Sequence, residues 1–399
     1  MERDVSYLTR LRPEVRLLVL SAGPPSVEPE LRALVASEGI NWRLVLELAD
    51  LERATAILWR RIRGYAPPSL EPAVWEQFER MALVADFMSS YLEQRAGETL
   101  ARLGAAGIEG TLLKGAALAL SVYGSFFERP MGDIDLLVDP ERADEAWRLA
   151  KEAGWEWDEG RYPVSNYVGH AHLPPLLDRR GRSLRLELHA ALFVAGSPFV
   201  LSAEELKERG RVMPVGTGGG TAIVPCREHL LLHACIHFAW SHMMSFGTWR
   251  SLRDVVALTT AGIDWALFED EARRNRAESC AYWTLRFTQR LSGGTFPDDT
   301  MARLGRTTDS MWRGAAERHL EHELFPIAPR CPSHLLRRRL WETAIQPGRA
   351  MHGSVRPWIL DDVGEVAGRA EEATGVARRV AQLGEVWQYL RLLSGRSPA

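Results

Sequence analysis

Two short stretches, Leu112-Leu-Lys-Gly115 and Arg129-Pro-Met-Gly-Asp-Ile-Asp-Leu-Leu-Val138, decide how this chain is interpreted. The second places Asp133 and Asp135 at the start of an apolar run that predicts a buried strand. Because side chains alternate along a strand, both carboxylates face the same side of the sheet. Buried like charges need a partner, and a divalent cation such as Mg²⁺ takes carboxylate oxygens together with nucleotide phosphates. The pair therefore indicates metal-assisted phosphoryl or nucleotidyl transfer.

A third carboxylate, Glu187, lies in a segment from Arg182 to His189 that alternates polar and apolar residues strictly. This alternation predicts a half-buried strand with Arg185, Glu187 and His189 on one face. On a strand beside the aspartates, Glu187 would ligate the metal and help to deprotonate an acceptor hydroxyl. The alternative is that the aspartates flank a strand in a solvated loop and that Glu187 faces solvent.

A phosphate-binding element is predicted upstream of the aspartates. Lys114 and Gly115 fall at a predicted turn from strand to helix. Glycine lets the backbone approach a phosphate, the helix start offers free N–H groups, and lysine adds a positive charge. Arg129 would either hold a β- or γ-phosphate or pair with a carboxylate.

Histidines recur on a later helix. His229, His233 and His237 are spaced by four residues, and His242 follows. This spacing places the first three on one helical face. We interpret them mainly as packed side chains and secondly as pocket-lining side chains, and we give zinc binding the least weight because no HExxH-type partner is present.

An acceptor pocket requires further polar side chains near the carboxylates, and we take His189, His237 and Asp254 as its candidates. Asp254 belongs to a cluster with Arg250 and Arg253. For this cluster an ion pair on the surface of a helix is the preferred alternative.

The chain of 399 residues divides by pattern into four parts. Residues 1–104 have apolar residues at helical spacing, residues 105–225 alternate short strand and helix signals, and residues 226–345 return to helical spacing. Residues 346–399 contain a linker, which we extend over Pro326–Pro357, and a C-terminal helix. We therefore predict an α+β fold in which a small mixed β-sheet core is flanked by N- and C-terminal helical segments.

Individual elements follow from the same periodicities. The predicted strands are Ile108–Leu113, Ile134–Val138, Arg182–His189, Arg211–Val215 and Thr221–Val224. The predicted helices are Leu31–Val35, Trp42–Leu58, Pro72–Gly104, Gly115–Tyr123, Pro140–Gly154, Glu228–Trp240, Trp249–Thr260, Trp265–Asn275, Ala281–Ser292 and Asp361–Leu393. Asp139 is the expected N-cap of the helix that begins at Pro140.

Bulk composition narrows the classes of partner. A net charge of −3 and a pI near 6.4 argue against binding of long nucleic acid. The four cysteines are scattered and form no CxxC pair, which predicts reduced thiols. The N-terminus has no signal-peptide pattern, and no apolar run approaches the length of about eighteen residues that a membrane span needs. We expect a cytoplasmic protein with no membrane partner, and the oligomeric state stays open.

The motifs Leu113-Lys-Gly115, Tyr123, Arg129–Val138 and Leu186–His189 together resemble the uncharacterised bacterial nucleotidyltransferase family of the polymerase-beta-type superfamily. The resemblance extends over residues 40–300. It implies a compact mixed sheet, two Mg²⁺ ions for which Mn²⁺ would substitute, and an NTP such as ATP as the donor.

The resemblance also implies roles for individual residues. Asp133 and Asp135 would be the paired metal ligands, and Glu187 would be the third carboxylate. Most members have Gly-Ser or Gly-Gly at the glycine turn, whereas this chain has Lys114-Gly115-Ala116. The expected phosphate contact therefore shifts from a serine to Lys114 and backbone N–H groups.

The expected reaction is transfer of an NMP from an NTP to a hydroxyl of a small molecule, peptide or protein, with release of pyrophosphate. One alternative is a non-catalytic nucleotide-sensing protein whose helices dock a partner. Another is a toxin-like nucleotidyltransferase that acts on tRNA or protein. The preferred base and the acceptor are not determined by the sequence.

Overall fold

The computed structural model describes residues 11–65, 67–180, 184–307, 313–324, 334–345, 386–387 and 389–391. The predicted C-terminal helix Asp361–Leu393 therefore lies outside the described residues, apart from 386–387 and 389–391. Of the predicted linker Pro326–Pro357, only residues 334–345 are described. They include a helix, so the prediction of an irregular connection is wrong there. This stretch contains neither proline nor glycine, and nothing in it interrupts a helix.

Helices make up the described N-terminal part of the chain. They are α1 (Pro13–Ser21), α2 (Glu28–Val35), α3 (Trp42–Leu51), α4 (Thr55–Ile62) and α5 (Pro72–Ala105). The prediction of one helix over Trp42–Leu58 is wrong, because the chain turns at Arg53, whose φ of 55° is left-handed. Apolar spacing continues on both sides of this turn and hides the break.

The long helix α5 packs against the rest of the fold along one stripe, which includes Phe78, Leu92 and Leu100. Leu83 and Phe87 of the same helix are 65% and 52% exposed. Successive residues of a helix are rotated by about 100° around its axis, and this rotation places Leu83 and Phe87 on the face opposite the buried stripe. Further along the helix, Gly97 touches the sheet directly.

A mixed sheet of seven strands forms the centre of the fold, in the order β3-β4-β5-β2-β1-β7-β6. Its strands are β1 (Thr111–Leu112), β2 (Asp133–Leu137), β3 (Trp155–Trp157), β4 (Leu176–Asp178), β5 (Arg185–His189), β6 (Arg211–Val215) and β7 (Gly220–Val224). The pairs β2–β5 and β1–β7 are parallel, and the other neighbours are antiparallel. The sequence analysis did not predict β3 and β4, which have three residues each.

Helices also surround the sheet after β1. They are α6 (Lys114–Leu118), α7 (Ala143–Glu152), α8 (Ala203–Glu208), α9 (Arg227–Ile236), α10 (Thr248–Thr260), α11 (Trp265–Arg274), α12 (Glu278–Phe287), α13 (Asp298–Leu304), α14 (Arg313–Glu323) and α15 (His334–Ala344). Wide π-helical turns extend α6, α9 and α12 over Ala119–Tyr123, His237–Ser241 and Thr288–Ser292. The α+β prediction is confirmed.

Two contacts fix the sheet relative to its helices. A Cβ atom at Gly97 of α5 would lie 2.4 Å from the carbonyl oxygen of Val215, and one at Gly220 would lie 2.3 Å from the carbonyl oxygen of Gly97. The α5 backbone therefore touches the β6–β7 hairpin.

The turn after β2 begins at Asp139, as predicted for an N-cap. Asp139 accepts a hydrogen bond from the Glu141 N–H at 2.9 Å and starts the turn that leads into α7.

Buried apolar side chains of the N-terminal helices, the sheet and the later helices form one continuous cluster. Leu17, Leu136 and Phe287 are fully buried members from each of these regions. Among the described residues, no helix combines the length and the apolar character that crossing a bilayer requires.

Candidate active site

The parallel register of β2 and β5 brings the predicted carboxylates together. Asp133 lies opposite Arg185, and Asp135 lies opposite Glu187. Ile134 points to the other face of the sheet, where it is 1% exposed. The alternation along the two strands thus places one polar row against another, at the start of β2 and β5.

Asp135 is the most buried of the three carboxylates, with 4% exposure. Its Oδ1 atom accepts a hydrogen bond from Lys114 Nζ at 2.6 Å and lies 2.9 Å from His189 Nε2. Burial alone would raise the pKa of Asp135, but the Lys114 ammonium and the His189 hydrogen bond hold it well below its usual value. Asp135 therefore stays ionised at neutral pH.

Among the described residues, Glu187 has no comparable partner. Its Oε2 atom lies 3.9 Å from His172 Nε2, beyond hydrogen-bond distance. Burial and the neighbouring charge of Asp135 raise the pKa of Glu187 to about 8. Burial and the charge of Asp135 thus disfavour a second negative charge on Glu187, and a bound cation would allow both carboxylates to ionise.

The ligand atoms of Asp135, Glu187 and His189 all lie within 4.8 Å of one another. Two carboxylate oxygens and an imidazole nitrogen at such distances can hold a divalent metal ion. Asp133 lies outside this compact group, and its Oδ2 atom accepts a hydrogen bond from Arg185 Nη2 at 2.9 Å. The structure thus places His189, which we predicted in an acceptor pocket, directly beside the carboxylates.

Lys114 occupies an unusual backbone conformation at the start of α6. Its φ of 45° is left-handed, which is rare for a residue with a side chain. Burial would lower the pKa of Lys114, but the charges of Asp135 and Glu187 raise it above its ordinary value. The ammonium is therefore held positive at the point where Gly115 begins the helix.

Arg129 forms a two-pronged ion pair with a residue far away in the chain. Its Nε and Nη2 atoms donate to Asp254 Oδ1 and Oδ2 at 2.7 and 2.8 Å, and Tyr123 donates to Asp254 Oδ1 at 2.9 Å. The preferred assignment of Asp254 to a surface ion pair is therefore wrong, since its residue exposure is 5%. Of the two alternatives for Arg129, the structure shows the pairing with a carboxylate.

A cavity of about 860 Å³ opens over these residues. Its walls include every site residue that the sequence analysis named: Lys114, Gly115, Arg129, Asp133, Asp135, Glu187, His189, His237 and Asp254. This volume lies in the range of ordinary small-molecule sites.

Two histidines of the cavity, His170 and His172, were missed by the sequence analysis. They lie in the irregular segment between β3 and β4, and a single β-bridge joins His172 to His189. The Nδ1 atom of His172 lies 2.8 Å from the carbonyl oxygen of Leu173, so this nitrogen carries the proton and donates it. The only signal in the sequence is the His-Ala-His spacing.

The helix histidines divide into two groups. His229 lies outside the cavity, 3.8 Å from Glu271, and is a packed side chain. His233, His237 and His242 border the cavity, so pocket lining, our second interpretation, applies to them. Within the described part of the chain these helix histidines form no metal-binding group.

Burial keeps the cavity histidines of this helix neutral. It lowers the pKa of His233 to about 3 and that of His242 to about 4, and it lowers that of His237 well below the usual value. The rings of His237 and His242 pack edge to face, with centroids 4.2 Å apart. This side of the cavity is therefore an uncharged aromatic surface.

The comparisons with known proteins agree with this geometry. A family model described as an uncharacterised nucleotidyltransferase matches residues 38–293, which is more than half of the chain and includes both β2 and β5. A comparison with curated proteins finds no match.

Proposed function

Because this chain belongs to the uncharacterised nucleotidyltransferase family, we propose that it transfers an NMP from an NTP to a hydroxyl group and releases pyrophosphate. Family membership makes the protein an enzyme that transfers phosphorus-containing groups. The donor, the metal and the acceptor class are parts of our proposal. The observation that carries it is the register of β2 and β5, which sets Asp135 beside Glu187.

The residues present fit a divalent metal. Asp135, Glu187 and His189 supply a compact set of oxygen and nitrogen donors, and a cation bound to them would favour the ionised form of Glu187, whose pKa burial and the Asp135 charge raise to about 8. Asp133, at the open end of β2, would take part in a second ion site as the resemblance implies. When bound, Mg²⁺ or Mn²⁺ would neutralise the charge that develops on the transferred phosphoryl group.

The side chains of the chain itself have distinct proposed roles. With a cation bound, which would lower the pKa of Glu187 and ionise its carboxylate, Glu187 accepts the proton of the acceptor hydroxyl while the new O–P bond forms at the α-phosphorus and the bond to pyrophosphate breaks. Lys114 and the Gly115 backbone lie beside the donor phosphates, with Arg129 on the same wall of the cavity. His189 fixes the Asp135 carboxylate through the 2.9 Å contact. Catalysis then depends mainly on positioning and on charge stabilisation.

We propose a small molecule or a peptide segment as the acceptor, because neutral imidazoles form the cavity wall away from the strands. The absence of a basic charge excess argues against long nucleic acid. We place the enzyme in the cytoplasm, where its cysteines stay reduced. Growth arrest on expression that Asp133→Ala relieves would instead indicate a toxin-like enzyme.

The test is the variant Asp135→Asn. We expect loss of NMP transfer by about a thousandfold, because several kcal/mol of charge stabilisation are removed. Wild-type protein is incubated with labelled NTPs and cell extract, and mass spectrometry identifies the molecule that gains a nucleotide.

The matched control is Asp144→Asn, an exposed aspartate on α7, which should transfer like wild type. Circular dichroism and the melting temperature show whether each variant is folded. Full activity of folded Asp135→Asn would contradict the proposal. NTP binding by wild type without pyrophosphate release from any acceptor would favour the nucleotide-sensing alternative.

A further inference from the structure

The proposed donor carries a polyphosphate tail, and its negative charge needs cations. The cations that the sequence analysis assigned to this task are already engaged by carboxylates. Lys114 and Arg129 contact aspartates at 2.6 and 2.7 Å, and Arg185, on the same cavity wall, does so at 2.9 Å. Cations without a carboxylate partner would add the positive charge that the tail needs beyond what Lys114 and Arg129 supply.

Arg250 is a cation of the cavity wall that is not engaged in this way. It is half-buried in the first turn of α10, and no hydrogen bond or ion pair connects its guanidinium to another residue of the described chain. Glu52, whose charge acts on it, accepts a hydrogen bond from the Trp249 backbone N–H at 3.0 Å. The Arg250 guanidinium therefore lies at the cavity with its N–H groups available.

The backbone before α10 leaves room for this guanidinium. Gly247 has a left-handed φ of 64°, and a Cβ atom there would lie 2.9 Å from Arg250 Nη2. A side chain at position 247 would push the guanidinium away from its place. Gly247 itself borders the cavity, so the space that its missing side chain leaves for the guanidinium is part of the cavity wall.

Arg53 presents a second guanidinium near the start of β2. A Cβ atom at Gly132 would lie 2.4 Å from Arg53 Nη1 and 2.9 Å from Nη2, so the guanidinium lies directly on this glycine. Gly132 immediately precedes Asp133. Arg53 is exposed, and no described residue forms a hydrogen bond or ion pair with its guanidinium. The left-handed turn between α3 and α4 holds Arg53 at this position.

The two arginines are close enough to affect each other. Burial lowers the pKa of Arg250, and the charges of Arg129 and Arg53 lower it further, while Glu52 and Asp133 raise it. The guanidinium groups of Arg53, Arg129 and Arg250 are thus close enough to repel one another. An anion at the Asp133 end would relieve this repulsion.

We infer that Arg53 and Arg250 bind the terminal phosphates of the nucleotide donor. The inference rests on the proposed function and deepens it, because it assigns the polyphosphate tail to the Asp133 end and leaves the Glu187 end for the acceptor hydroxyl. Guanidinium groups suit this task, since their planar N–H pairs match phosphate oxygens. The glycines at positions 132 and 247 are the sites where the fold makes room for the two side chains.

The test measures binding of inorganic triphosphate to the full chain by calorimetry. We expect Arg53→Gln and Arg250→Gln each to raise the dissociation constant about tenfold or more, as is typical of lost hydrogen bonds to charged groups, and the double variant to raise it further. Arg250→Lys, which keeps the charge and loses the paired N–H groups, should lie between wild type and Arg250→Gln.

The matched control is Arg276→Gln. Arg276 is also exposed and also has a φ of 55°, but it neither lies against Gly132, as Arg53 does, nor borders the cavity, as Arg250 does, so triphosphate binding should not change. Binding of adenosine, which has no phosphates, should be equal in all folded variants. Melting temperatures identify any variant that fails to fold, and Arg53→Gln, on an exposed residue, keeps the test decisive if Arg250→Gln fails.

The inference is overturned if wild type does not bind triphosphate, or if the Arg53 and Arg250 variants bind it as tightly as Arg276→Gln does. Its failure can be separated from failure of the proposed function. Normal NMP transfer with unchanged triphosphate affinity in the variants would remove only the inference. Triphosphate binding through both arginines without any NMP transfer would support the inference and remove the proposed reaction.

Discussion

The two walls of the cavity show that burial alone does not decide the charge of a side chain. On the strand wall, which β2 and β5 form with Asp133, Asp135 and Glu187, Asp135 is almost completely buried. It is still ionised, because Lys114 and His189 contact it. On the helix wall, which His233, His237 and His242 form, burial makes His233 and His237 neutral, since no carboxylate of the described residues forms an ion pair with either ring. The strand wall thus has the charges that group transfer needs, and the helix wall shapes the space beside them.

The largest effect that this comparison predicts is on catalysis at the strand wall. Glu187→Gln should lower the rate of NMP transfer by about a thousandfold, in the range known for loss of a general base. NTP affinity should change much less, because we infer that the polyphosphate tail binds at the Asp133 end of the site. Pyrophosphate release at saturating NTP measures the rate.

The control is Glu156→Gln, an exposed glutamate on β3 that forms an ion pair with Arg179. It should be as active as wild type. A loss below tenfold in Glu187→Gln would show that the strand wall does not supply the base. The charge difference between the two walls would then not explain where catalysis occurs.

The next largest effect concerns the ion pair that joins α10 to the segment before β2. Asp254→Asn leaves the Arg129 guanidinium half-buried without its carboxylate, and breaking a buried pair in this way costs about 3 kcal/mol. The free energy of unfolding in urea measures this loss.

Asp270→Asn provides the comparison, since its ion pair with Arg273 is exposed and should contribute less than about 1 kcal/mol. If the two variants are equally stable, the Arg129–Asp254 contact does not stabilise the cavity as we describe.

The smallest predicted effect tests the neutral state of the helix wall. The folded pKa of His233 is about 3, below the unfolded value of about 6.5. Between these values the unfolded chain binds a proton that the folded chain does not, so stability falls as the pH falls below 6.5. His233→Gln should remove about 1 kcal/mol of the stability difference between pH 7.5 and pH 5.5.

Urea denaturation of both proteins at both pH values measures this difference. Any packing defect of the variant appears at pH 7.5 as well and cancels in the comparison. Equal pH dependence of wild type and His233→Gln would show that His233 is not held neutral.

The parts of the site that the sequence predicts are those with short-range signals. Asp133 and Asp135 are two residues apart, and the alternation around Glu187 fixes which face it occupies. That period of two predicts which face each carboxylate occupies. The pairing of β2 with β5, its register and the contact of His189 with Asp135 required the structure.

Contacts between distant segments could not be predicted in this way. Asp254 follows Arg129 by 125 residues, and no periodicity links them. The position of Arg53 could not be predicted, because apolar residues continue at helical spacing across the turn that contains it. The same limit explains the missed strands β3 and β4, since three residues are too few to show alternation.

The sheet order has a consequence for the sequence of events in folding. The parallel pair β2–β5 can form once residue 189 is available, whereas β1 pairs with β7 through Thr111 and Ile223, which are far apart in the chain. Pairings across such distances form slowly, because long loops must close first. We therefore expect β2 and β5 to pair, and to bring Asp135 beside Glu187, while the carboxylates are still exposed to water. The helix α9 and its histidines would pack over them afterwards. The strand wall of the cavity would then form earlier in folding than the helix wall.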